Sequence, residues 1–155
     1  MKPGYEQIRN DREINLLIEQ GNRNLKVLGY TEHSRKHAVK VAETAGRILK
    51  ELGYRRRQVE MAKIAGYMHD IGNTVNRYDH AHSSAVLAYG ILKEREMKQE
   101  DILTITSVSV FPSSERCLYK KRKCLKGGKS VTASSALTVI MYVPSSEARK
   151  PSPSI

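Results

Sequence analysis

The sequence predicts an all-α fold, on three observations. Apolar residues recur at helical three- and four-residue spacing through the first hundred positions, and glycines fall where those stripes stop. No run alternates apolar and polar side chains as a half-buried strand would. A chain of 155 residues with 39% apolar and 28% charged residues suits one domain with a hydrophobic core, and it argues against full disorder. No internal repeat competes with this pattern.

The elements follow in order. Ile8, Ile14, Leu16, Leu17 and Ile18 suggest a first helix ending near Gly21. Thr31 and Ser34 are candidate N-caps before a long amphipathic stretch in which Val41, Ala45, Ile48 and Leu52 share a face, closed by Gly53. Arg55, Arg56 and Arg57 read as a connector. Val59, Ala62, Ala65 and His69 then share one face of a third helix, stopped near Gly72. After a polar loop at 73–79, His80, Ser84, Leu87 and Ile91 mark a fourth helix, and a fifth opens at Gln99.

Composition divides the chain after Ser107. Residues 1–107 hold 18 basic and 14 acidic side chains and all five histidines, whereas residues 108–155 hold 9 basic and 2 acidic ones and no His or Asp. The net charge of +11 therefore splits into +4 and +7. The tail also carries ten of the fourteen serines and four of the five prolines. Such a shift reads as a boundary between a helical domain, 1–107, and a basic Ser/Lys-rich extension, 108–155. The longest uncharged, weakly polar stretch of the first hundred positions, 85–92, falls far short of the ~20 residues a membrane helix needs. The N-terminal residues lack the apolar core of a signal peptide, so a cytoplasmic location is expected, with Cys117 and Cys124 as free thiols.

Three histidines fall on the apolar stripes of separate helices: His37 one turn before Val41, His69 one turn after Ala65, and His80 one turn before Ser84. Asp70 adds a carboxylate near a helix C-terminus, where the macrodipole disfavours negative charge and burial demands a cation. Imidazoles and a carboxylate converging from different helices make a divalent-metal site, open to Mn, Fe, Co, Ni, Zn or Mg. His33 lies one turn before His37 and is the rival ligand, and His82 reads as a surface residue or as support for the ligands.

The run Lys36-His37-Ala38-Val39-Lys40-Val41-Ala42, then Ala65-Gly66-Tyr67-Met68-His69-Asp70-Ile71-Gly72-Asn73, then Asp79-His80, resembles the HD superfamily of metal-dependent phosphohydrolases over about residues 30–107. The resemblance implies a helical bundle in which His37, His69 and Asp70 bind a divalent metal. It further implies that His80 adds a ligand or a substrate contact, and that Asp70 acts in catalysis by orienting water or bridging two ions. The implied reaction is hydrolysis of a small phosphoester such as a nucleotide, with metal-activated water attacking phosphorus. Where the family most often has Lys after Ile-Gly, this chain has Asn73, and Arg77 is the nearby residue able to take over a phosphate contact. These two are the expected substrate-binding residues.

The family's last metal ligand is an Asp on a later helix. No Asp follows Asp101, and Glu115 and Glu147 are the only acidic residues beyond it. The stretch 135–140 is only faintly similar to the family's final helix, and the ligand would then fall near Met141, which cannot serve. The alternative reading is therefore a degenerate HD domain, a metal- or nucleotide-binding regulatory module without catalysis. We read the chain after Ser107 as a replaced or frame-shifted C-terminus. Its basic run, 120–129, offers a weak nucleic-acid site. Gly127-Gly128-Lys129-Ser130 fails as a phosphate-binding loop because Lys123 stands where the first glycine belongs.

Overall fold

A computed structural model describes residues 3–30 and 33–109, with side chains to 107. Among the described residues every regular element is helical: α1 (Tyr5–Arg9), α2 (Arg12–Val27), α3 (Arg35–Glu51), α4 (Arg56–Met68), a 3-10 turn (Ile71–Thr74), α5 (His80–Glu94) and α6 (Gln99–Ser109). The all-α expectation holds. No described helix is long and apolar enough to cross a membrane.

The single first helix expected from the apolar spacing is two. The chain breaks at Asn10, and Asp11 caps α2 by accepting hydrogen bonds from the Glu13 and Ile14 backbone N–H groups. Gly21 does not end α2, which runs on to Val27. It is buried instead against the 3-10 turn, where an added Cβ would lie 3.2 Å from the Asn73 side chain. Ends at αL residues come later: Gly29 and Gly53, both with positive φ, follow α2 and α3, and Tyr30 and Tyr54 donate back to the Leu25 and Leu49 carbonyls.

The face of α3 also needs correction. Ala38, Ala42, Ala45 and Leu49 are its buried stripe, while Leu52 is exposed and Val41 and Ile48 lie at the margin. Small residues win because α3 and α4 pack closely: a Cβ on Gly66 would come 3.0 Å from the Ala42 Cα. Arg56 and Arg57 belong to α4 rather than to a connector. The last five residues of that helix, Ile64, Ala65, Gly66, Tyr67 and Met68, are all buried, and it forms the axis of the core. Tyr67 meets Tyr5 of α1 edge to face with centroids 6.0 Å apart, and its hydroxyl donates to Asn15 and accepts from Arg35.

Ser34 is the N-terminal boundary residue of α3 as expected, but its hydroxyl makes no capping bond. Thr31, the cysteines, the basic run 120–129, and Glu115, Met141 and Glu147 lie outside the described residues.

Candidate metal centre

The site forms where three helix ends meet. His37 stands in the first turn of α3, His69 is the residue that ends α4, Asp70 follows it, and His80 is the first residue of α5. The 3-10 turn that connects α4 to α5 holds them in place. The Asp70 carbonyl accepts from the Asn73 backbone N–H and from Asn73 Nδ2. Gly72 N–H donates to the buried Ser84 hydroxyl of α5 at 2.8 Å. No side chain fits at Gly72, since a Cβ would lie 2.1 Å from the His80 carbonyl oxygen.

Two imidazoles have their orientation set by carbonyl oxygens. His69 Nδ1 donates to Gly66 O at 2.8 Å and His80 Nδ1 donates to Arg77 O at 2.9 Å. When the rings are neutral these bonds select the Nδ1–H tautomer, in which each Nε2 carries a bare lone pair. His69 Nε2 stands 2.9 Å from Asp70 Oδ2 and 3.3 Å from His37 Nε2, and His37 Nε2 is 3.6 Å from the same carboxylate oxygen. His80 Nε2 faces the other oxygen, Oδ1, at 3.6 Å. Ligand atoms of His37, His69 and Asp70 all fall within 4.8 Å of one another, the spread one ion can gather.

Asp70 Oδ2 is buried and accepts no hydrogen bond of acceptable geometry, although His69 stands beside it. An ionised carboxylate oxygen in that position is stable only opposite a positive charge, either a proton on His69 or a metal ion. This oxygen and the set of nitrogen donors around it fit a divalent cation. The electrostatics agree. Burial pushes the Asp70 pKa up, but the field of His69, with smaller ones from His33 and His80, holds it well below the usual carboxylate range. Burial pushes His69 down, and the Asp70 carboxylate outweighs it, leaving His69 above its ordinary value. Burial, with the neighbouring His69, depresses His37, and burial likewise depresses His80; both stay neutral and able to ligate at neutral pH.

His33 packs its ring 5.4 Å from that of His37, and its backbone N–H donates to Asn22 Oδ1; it belongs to the rim of the site. His82 turns away from the cluster and pairs with Asp79 on the surface. Asn73 is buried with its amide spent on Asp70 O and on Arg77, so it shapes the turn and presents no group to solvent. Arg77 bonds Asn73 Oδ1 at 3.3 Å and lies over the Tyr30 ring, 4.9 Å from its centroid. Asp101 pairs with Arg57 at the opposite end of α4, so it supplies no ligand here.

Supporting residues escaped the sequence reading. Asn24 Nδ2 bridges the carbonyls of Asn73 and Thr74, and the Thr74 hydroxyl donates to Leu17 O and Ile71 O, tying the turn to α2. Nothing in sequence spacing couples Asn24 to Asn73. Ser84 was visible only as a polar residue on an apolar stripe.

A model of the HD domain family matches residues 35–126, from the first residue of α3 past the last described one. The chain belongs to the HD domain family. It is also similar to an uncharacterized protein of Methanocaldococcus jannaschii, 27% identical over 132 residues that cover 72% of this chain and 51% of the relative. The chain thus spans about half the length of that curated relative. No solved structure matches it. As an HD domain, it falls in a superfamily of metal-dependent phosphohydrolases, and His37, His69 and Asp70 form a triad able to bind a metal.

Proposed function

We propose that this HD domain hydrolyses a small phosphoester such as a nucleotide, using a divalent metal ion held by His37, His69 and Asp70 with His80 alongside. The observation that carries the reading is the buried, undonated Oδ2 of Asp70 amid imidazole nitrogens. A divalent ion bound there supplies Lewis acidity toward a phosphoryl oxygen and a water. The chain's own groups do the rest. Asp70 Oδ1 faces His80 and is placed to orient a water, and Gly66 O and Arg77 O fix the two imidazole rings. Arg77, whose guanidinium is tied among the described residues to Asn73 and the Tyr30 face, is the cation that can swing to a phosphate oxygen.

Elemental analysis of the purified chain, then a phosphatase screen of wild type and Asp70→Ala, tests this. About one equivalent of metal and phosphoester turnover, both lost in Asp70→Ala, is the expected result. Wild type without metal would overturn the reading. One observation favours a second reading, a binding or regulatory module: Asp101, the last Asp of the chain, is committed to Arg57. Stoichiometric metal with no turnover of any phosphoester would select that module.

A further inference from the structure

Helix α3, which brings His37 to the site, carries a second feature along its solvent face. Lys36, Lys40, Arg47 and Lys50 recur at spacings of four, seven and three residues, so all four lie on one side of the helix, opposite the buried Ala38, Ala42, Ala45 and Leu49. All four are exposed, and no described acidic side chain pairs with any of them. The one acid between them on that face, Glu43, is bound by Lys63 of α4 at 2.9 Å, which cancels its charge. The four cations therefore span about 21 Å at the helical rise, with the Glu43–Lys63 pair between Lys40 and Arg47. Exposed Glu51 follows Lys50 at the end of the helix, and exposed Arg55 and Arg56 come next in the chain at the start of α4. At its other end Lys36 adjoins His37 in the first turn of α3, with Lys40 one turn on.

We propose that this face of α3 is a track for the phosphate backbone of a single-stranded nucleic acid whose end enters the metal centre. The inference rests on the phosphohydrolase reading and deepens it, naming the substrate class as the terminal phosphoester of a strand. A row of cations with no acidic partner among the described residues gains affinity by releasing counterions from successive phosphates, which one small metabolite does not offer. A strand fits better than a lipid surface, because no large apolar side chain lies among the four cations to enter a bilayer. A strand end also fits the recessed centre, where the Asp70 side chain is only 12% exposed and the middle of a duplex would not reach.

The test is fluorescence anisotropy of a labelled single strand of about twelve nucleotides with the full chain, in chelator so that nothing is cleaved, across a KCl series. Arg47→Gln/Lys50→Gln is the test variant. Lys93→Gln/Lys98→Gln, two exposed lysines off the track, is the control of equal charge. The basic run 120–129 is present in all of them, so differences report α3. The test variant is expected to bind about tenfold more weakly, with the slope of log affinity against log salt shallower by about 1.4, while the control stays near wild type. Unchanged affinity in the test variant overturns the proposal, as does equal loss in the control. Stronger binding to phosphatidylserine vesicles than to the strand, through the same residues, overturns it too. Turnover of bis(p-nitrophenyl) phosphate is read separately. If it is absent while strand binding still depends on Arg47 and Lys50, the hydrolase reading fails and the track stands.

Discussion

Gly72 and Glu96 are the two residues whose backbone most constrains what can stand there. A methyl on Gly72 would lie 2.1 Å from His80 O and 2.4 Å from Ser84 N, both backbone atoms that cannot move without shifting α5. Gly72→Ala is expected to cost about 2–3 kcal/mol, read by urea unfolding, and to displace His80 from Asp70. Glu96 poses the opposite case. It occupies the left-handed position after α5 with φ 56°, the place that Gly29 and Gly53 take after α2 and α3. Met97 N–H closes the motif on Leu92 O. Glu96 is exposed, so Glu96→Gly removes strain at little cost in contacts and should raise stability by about 1 kcal/mol, a shift of a few degrees in Tm. His37, His69 and His80 are legible from their place on apolar stripes, and Asp70 from following His69 at a helix C-terminus. The second use of Asn73, as a fully engaged buried amide, is not, because its partners Arg77 and Asp70 reach it only once the turn has formed.

Among the elements, α2 depends most on a single cap. Asp11 accepts from two backbone N–H groups and pairs with Arg95 of the α5–α6 link at 2.8 Å, so one carboxylate starts a helix and fastens it to a distant segment. Asp11→Ala is expected to cost about 1–2 kcal/mol. Its burial pushes the carboxyl pKa up, yet the Arg95 hydrogen bond and the backbone donors outweigh this and leave it depressed. A depressed carboxylate stabilises the fold above the ordinary carboxylate range and ceases to do so as pH falls through its lowered pKa. The gap between wild type and Asp11→Ala should therefore be full at pH 7 and shrink below about pH 4, as followed by thermal melts. The α1–α2 break was missed because apolar spacing continues across it, and only the Asp11 capping bonds mark it. On α3 the larger Val41, Ile48 and Leu52 point to a face about one position away from the buried one, because a close helix pair buries alanines instead.

For the whole molecule, the metal centre links ion binding to stability. His37, His69, Asp70 and His80 come from three helices and the turn between two of them, so an ion held there cross-braces α3, α4 and α5. Ligand that binds only the folded state stabilises by mass action, about 2.7 kcal/mol at a free concentration one hundred times Kd. Tm should rise with added divalent ion by several degrees, fall back with chelator, and not respond in Asp70→Ala, as measured by differential scanning calorimetry. An unresponsive wild type would count against the site. The charge of the molecule takes a different sense as well. Part of the +4 of residues 1–107 is concentrated on one face of α3 rather than spread evenly.

The sequence by itself determined the all-α class, the approximate order of the helices and the identity of the His37, His69 and Asp70 cluster, because helical periodicity and a chemically specific motif are local properties of the chain. The tertiary structure alone decided that Asp70 Oδ2 is left without a donor, that His80 faces the carboxylate while His82 faces water, and that Asp101 belongs to Arg57. Each of these depends on which helix ends meet. That is set by close packing, of Gly66 on Ala42 across α3 and α4 and of Gly72 on His80 and Ser84 at the start of α5, which no residue spacing encodes.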